Sequence, residues 1–346
     1  MLALLLVPVS WLFGGMMLVR NWCYDNRLLR AAQCPVPVIS VGNMTAGGTG
    51  KTPFTELLVR LLLKSGKSVA VISRGYGRST RGTLVVSDGR TLLADPDASG
   101  DEAYQIARKI PAAVVIVDER RARAAALAVE QHRVQVIVLD DGFQHRALLR
   151  NLDIVMLDGR KPLAAIPHLP AGLRREPLSG LRRAGLLVAP ASSDDPLGDG
   201  ARHFTGAPLI RFRKVPVRFV SIFGEGSASP ESMRGKECTA VCGIGNPDSF
   251  RETLRQLGMH ADQFVAFPDH HAFTERDLDE LTPLVGRTRT HMLVTTEKDA
   301  VRLASLAAAK KFDTAEWYYL EIEAEITGGE QLLRERIDKL FHPKER

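Results

Sequence analysis

Residues 41–53 read Val41-Gly-Asn-Met-Thr-Ala-Gly-Gly-Thr-Gly-Lys-Thr-Pro53, between a short β-branched run and an amphipathic stretch. A glycine-rich turn running from a strand into Gly-Lys-Thr at a helix start aims backbone N–H groups and the helix's positive end at phosphate oxygens. Lys51 is then placed to reach the β- and γ-phosphates, and the Thr52 hydroxyl to ligate Mg²⁺. The candidate nucleotide contacts are Thr45, Ala46, Gly47, Gly48, Thr49, Gly50, Lys51 and Thr52. Thr45 stands where G-x-x-x-x-G-K-[ST] carries its first glycine, which is the motif's one departure.

The flanking pattern predicts the fold. Residues 35–41 read as a strand, and 52–65 as a helix with Phe54, Leu57, Leu58, Leu61 and Leu62 on one face. Further strands are expected at 68–73, 113–117, 134–139, 153–157 and 186–189, with helical stretches between several of them. Alternating β and α implies an α/β fold with a doubly wound parallel sheet of the P-loop NTPase kind. Residues 209–212 and 217–223 read as two strands joined by a short turn. A second, smaller α/β lobe follows, with strands at 239–244 and 292–295, helices at 249–257 and 300–311, and a strand at 317–326. The expected division is an N-terminal membrane-associated helix over 1–22, a nucleotide-binding core over 23–208, a two-stranded linker over 209–230 and a C-terminal lobe over 231–346.

In the first nineteen residues there is no charge, and Arg20, Arg27 and Arg30 follow. As a helix this segment reaches roughly 28 Å, near the thickness of a bilayer's hydrocarbon core. Trp11, Trp22 and Tyr24 suit headgroup depth, so attachment to a membrane, spanning it or lying in its interface, is expected. A hydrophobic content of 45% and a charged content of 25% exclude a disordered, collagen-like or polytopic membrane chain. The 46 basic against 40 acidic residues suit an anionic substrate or membrane surface and do not call for nucleic acid. Cys238 and Cys242 lie in an apolar run without a second ligand pair, so they read as buried thiols.

Asp140 and Asp141 end the apolar strand at 134–139, where a neighbouring strand of a P-loop sheet supplies acidic residues to the metal. Three polar clusters follow other strand ends: Ser73-Arg-Gly-Tyr-Gly-Arg78, Gly100-Asp-Glu102, and Arg120, Arg121 and Arg123. In an open parallel sheet these converge on one crevice. A partitioning ATPase requires a lysine directly before Gly-Gly, where this chain has Ala46. A GTP switch requires Asn-Lys-x-Asp, which Thr296-Glu-Lys-Asp299 matches only superficially.

With these motifs in this order, the chain resembles the tetraacyldisaccharide 4′-kinase family, the lipid A 4′-kinases of Gram-negative bacteria. Besides the phosphate loop and the first two clusters, the resemblance rests on Asp140-Asp-Gly-Phe-Gln-His145, Leu169-Pro-Ala-Gly172, Arg175-Glu-Pro177, Asp269-His270 and Thr295-Thr-Glu-Lys-Asp-Ala300. It implies transfer of the ATP γ-phosphoryl group to the 4′-hydroxyl of tetraacyldisaccharide 1-phosphate, forming lipid IVA, with Mg²⁺ at the cytoplasmic face of the inner membrane. Carried over residue by residue, Lys51 and Thr52 match phosphate and metal ligands. Asp101 matches the general base and His270 the histidine that pairs with it. Asp140 and Asp141 match the acidic pair near the metal, with Glu176 a further candidate ligand. Arg74, Arg78, Arg120, Arg121 and Gln144 are expected on the acceptor side, and the chain is expected to act as a monomer.

Overall fold

The computed structural model of the chain describes residues 6–223, 226–269, 271–286, 291–310 and 316–342. After a first helix, α1 (Val7–Asp25), strands and helices alternate. The first half comprises β1 (Val38–Asn43), α2 (Lys51–Lys64), β2 (Val69–Ser73), β3 (Leu84–Asp88), α3 (Asp101–Lys109), β4 (Val114–Val117), α4 (Arg121–His132), β5 (Val136–Asp140), β6 (Leu152–Met156) and β7 (Leu186–Pro190). A long strand β8 (Leu209–Ser221) and a short β9 (Ser227–Ala228) lead into the second half. There follow β10 (Glu237–Cys242), α5 (Pro247–Gln256), β11 (His260–Ala266), α6 (Glu275–Val285), β12 (Leu293–Thr296), α7 (Glu297–Lys310), β13 (Trp317–Gly328) and α8 (Glu330–Phe341).

Among the described residues the strands form one sheet in the order β3-β4-β2-β5-β1-β6-β7-β8-β13-β12-β10-β11, with β9 paired to β8. From β4 to β8 every neighbouring pair is parallel, and β3 caps that edge antiparallel. The strands from β13 to β11 are parallel again. One antiparallel pair, β8 with β13, fuses the two parallel halves.

Strands β1, β2, β4, β5 and β6 are buried at every residue, as a sheet covered on both faces requires. One cover comes from Phe54, Leu58 and Leu62 of α2, Ile106 of α3, and Leu333 and Ile337 of α8. Ala124, Ala125 and Ala128 of α4 pack on the other face. Each large side chain so buried contributes about 1.5–3 kcal/mol. In the second half, Phe250 and Leu254 of α5 pack with Cys238 and Cys242, whose thiols burial pushes up to about 12. Leu278 and Leu281 of α6 and Leu303 of α7 form a separate cluster.

One expectation needs correction. The turn expected between 212 and 217 is absent, because β8 is one strand of thirteen residues. Pro216, inside that strand, pairs with Ile322 where the register of β13 shifts, and such an irregularity tolerates a residue with no N–H. At the N-terminus, where spanning a membrane and lying in its interface were both left open, no helix among the described residues is long and apolar enough to cross a membrane. Helix α1 packs on the protein along Ser10, Gly14 and Asn21. Ala171 N–H donates to Ser10 Oγ at 2.9 Å, and Arg20 donates to the Gln144 carbonyl at 2.7 Å. Trp11, Leu12, Met16, Val19 and Trp22 remain exposed, Trp11 at 73% and Leu12 at 75%.

Candidate active site

The phosphate loop is shaped by its neighbours before any ligand is considered. Buried β1 ends at Asn43, whose amide donates to Thr49 Oγ1 at 3.2 Å and braces the loop across its mouth. On the outer side, Ala46 N–H donates to the Leu173 carbonyl and Arg175 N–H to the Met44 carbonyl, each at 2.7 Å. Thr45 forms an antiparallel bridge with Arg174. Thr45 therefore sits in an extended, paired segment that needs no positive φ, which explains why a glycine is dispensable there. Gly50 is different. It caps α2 at φ +85°, and a Cβ on it would lie 3.0 Å from the Phe212 ring.

At the end of β5, beside the loop, Asp140 is 1% exposed and accepts a hydrogen bond from Thr55 Oγ1 at 3.1 Å. Burial, then Glu102 and Asp141, push its carboxyl up to about 7 against the pull of Lys51. Asp141 is held low: burial opposes ionisation, but Lys51 and Arg175 outweigh it. Its carboxylate lies 3.6 Å from Lys51 Nζ and 2.9 Å from Arg175 Nη1. Thr52, Asp140 and Asp141 line one cavity, so hard oxygen donors stand where a magnesium ion bound to nucleotide phosphates needs one or two carboxylates. The crowded Asp140 is the group such a cation would relieve. Glu176 is not brought to this group. It is 1% exposed, and its carboxylate is engaged by Asn21, Gln144 and Arg183.

The cavity measures about 880 Å³. Its lining includes residues 46–52, Arg74, Arg121, Gln144, His145 and Arg175, Phe13 and Met17 of α1, and residues 244–246, Thr296 and Lys298 of the second half. Arg121 is 6% exposed, and its buried Nε has no hydrogen-bond partner. His145 is kept neutral, pushed down to about 4 by burial and then by Arg121, Arg150, Arg20 and Arg74. Two expected acceptor residues lie elsewhere. Arg78 is spent on Glu119 and on the carbonyls of Gly82 and Val117, and Arg120 is exposed outside the cavity wall.

Asp101 opens α3 behind Gly100, whose φ of +83° brings it so close to the 73–78 loop that a Cβ would lie 2.8 Å from the Tyr76 carbonyl. Glu102 is on the cavity wall, and Asp101 beside it hydrogen-bonds Arg302 of α7. The expected partner His270 lies outside the described residues. Its neighbour His271 bonds Asp277 at 3.0 Å and stacks on Phe267. His145, Lys298 and Arg302 were not singled out as site residues from the sequence. The first two lay within motifs already quoted; Arg302 carried no signal beyond its helix.

The family model described as tetraacyldisaccharide-1-P 4′-kinase matches residues 2–342. The chain belongs to this family. A tetraacyldisaccharide 4′-kinase of Anaeromyxobacter sp. (strain Fw109-5) is 41% identical over 345 residues, 97% of this chain and 92% of that protein. One from Chlorobium luteolum is 39% identical and covers 97% of both. Among solved structures, that of LpxK from Aquifex aeolicus in complex with ATP matches with a TM-score of 0.79 at 33% identity, over 99% of this chain and 100% of that one. The kinase family's fold thus extends across both halves of the sheet.

Proposed function

We propose that this chain transfers the γ-phosphoryl group of ATP to the 4′-hydroxyl of tetraacyldisaccharide 1-phosphate, forming lipid IVA in lipid A biosynthesis. The observation that carries the reading is one cavity lined both by the phosphate loop and by cationic Arg74 and Arg121 and apolar Phe13 and Met17. A nucleotide at one end meets an amphipathic, anionic acceptor at the other.

The phosphate loop holds the triphosphate by backbone N–H groups, and Lys51 neutralises charge on the transferring group. Thr52, Asp140 and Asp141 would hold Mg²⁺, which would neutralise charge on the nucleotide phosphates when bound. Asp101 takes the proton of the acceptor hydroxyl as it attacks, since a sugar hydroxyl is a weak nucleophile. His270 is proposed to orient that carboxylate. Arg74 and Arg121 bind anionic groups of the acceptor, with Gln144 beside them. The exposed face of α1 rests on the inner membrane's cytoplasmic surface, in the interface and not across it, and the chain acts as a monomer there.

The test is transfer of labelled γ-phosphate from ATP to tetraacyldisaccharide 1-phosphate in mixed micelles, wild type beside Asp101→Ala. Lipid-linked label in the wild type, and a loss of about 10²-fold or more in the variant, are expected. Equal rates in both would remove Asp101 as the base. No lipid label from folded, ATP-binding protein would overturn the acceptor.

A further inference from the structure

Helix α7 packs against α3, so residues some two hundred positions apart meet beside the cavity. Arg302 Nη2 donates to Asp101 Oδ2, and Arg302 Nη1 donates to the His271 carbonyl at 2.9 Å. The Asp101 and Arg302 side chains are 13% and 14% exposed. Four residues earlier on the same face of α7, Lys298 Nζ lies 3.5 Å from Glu102 and 3.6 Å from Asp269. Two cations of one helix therefore grip two consecutive carboxylates at the start of α3, and Lys298 also touches Asp269 while Arg302 touches His271.

We propose that Arg302 is a positioning residue for Asp101: its guanidinium fixes the carboxylate against His271 and so sets the orientation of the acceptor's base. The inference rests on the reading of Asp101 as that base. A carboxylate on the first residue of a helix has free rotamers, and a planar fork with two bound acceptors selects one of them. With Oδ2 engaged by Arg302, Oδ1 takes the hydroxyl proton. The fork originates on α7 in the second half of the sheet, so the base is aligned only while α7 is seated on α3. Lys298 supplies the second point of the clamp and keeps the first turn of α3 from swinging about the Arg302 contact.

Steady-state kinetics of the full chain with MgATP and tetraacyldisaccharide 1-phosphate test this, using Arg302→Met, Arg302→Lys, Asp101→Asn and the Arg302→Met/Asp101→Asn double variant. ADP binding and thermal melting establish that each is folded. Arg302→Met is expected to lose ~10–10²-fold in kcat, the scale of a misplaced reacting group, with both KM values within about threefold of wild type. Arg302→Lys keeps a cation but not the fork and falls between. The double variant is expected to be no slower than Asp101→Asn alone, because a positioning residue has nothing left to position.

Wild-type kcat in Arg302→Met overturns the proposal, as does a loss confined to KM. A double variant slowed by the product of the two single losses overturns it as well, since Arg302 would then act independently of Asp101. Wild-type kcat in Asp101→Asn overturns the base assignment and the proposal with it, whereas a slow Asp101→Asn beside a fast Arg302→Met overturns the positioning role alone.

Discussion

Lys51 and Gly50 are neighbours whose substitutions separate chemistry from conformation. Lys51 stands 3.6 Å from Asp141, which keeps Arg175 when Lys51 is removed, so Lys51→Ala is expected to fold and to lose about 10²–10³-fold in kcat/KM, the cost of removing one donor to developing charge. Gly50→Ala forces an L-residue to φ +85° and a Cβ against Phe212, so it is expected to cost about 1–2 kcal/mol in urea denaturation and to weaken ATP binding. An unchanged urea midpoint would show that the loop relaxes without strain. The loop was legible because all of its determinants are contiguous in the chain. The Arg302–Asp101 pair was not, because its partners are joined only by the packing of α7 on α3, which leaves no local pattern. Arg78 was misplaced for a related reason: a basic residue after a strand reads alike whether it binds a ligand or, as here, Glu119 and two carbonyls.

Elements were legible in proportion to their burial. Central strands are continuous apolar runs, whereas β3 and β11 are edge strands; β11 has no fully buried residue, so neither stood out from the loops around it. Leu58 of α2 lies under the sheet at 0% exposure, and Leu58→Ala is expected to cost about 2–5 kcal/mol in denaturant unfolding. Where α7 begins, Lys109 lies 2.8 Å from Glu56, 3.1 Å from Glu297 and 3.7 Å from Glu321. Burial, with Glu56 and Glu321 adding to it against Lys109, pushes Glu297 up from 4.5 to about 7. Its contribution to stability is full below pH 4.5 and is lost as pH rises through about 7, because the unfolded chain ionises this group first. Glu297→Gln cannot ionise, and Lys109 keeps Glu56, so the variant is expected to gain in melting temperature relative to wild type on going from about pH 5 to about pH 8. An identical difference at both pH values would contradict this.

At the scale of the molecule, one antiparallel pair joins two parallel half-sheets, and the cavity opens where their carboxyl ends and α1 meet. Sequence patterning conveyed both halves but not their continuity, since a proline within a long strand and a turn between two short ones look the same. It conveyed an apolar N-terminus but not its split use: Phe13 and Met17 line the cavity while Trp11 and Leu12 face outward. If the outward face rests on lipid, replacing Trp11 and Leu12 by glutamate is expected to weaken co-sedimentation with anionic vesicles at least about tenfold, each lost insertion being worth about 1.5–3 kcal/mol. Retained sedimentation would assign the membrane contact elsewhere. The central claim, that this cavity passes phosphate from ATP to a lipid disaccharide, is tested most directly by the ³¹P NMR spectrum of the lipid recovered after incubation with tetraacyldisaccharide 1-phosphate and MgATP. A new phosphomonoester coupled to the 4′ proton, beside the original 1-phosphate, is the predicted result; an unchanged lipid spectrum with ADP and free phosphate accumulating would contradict it.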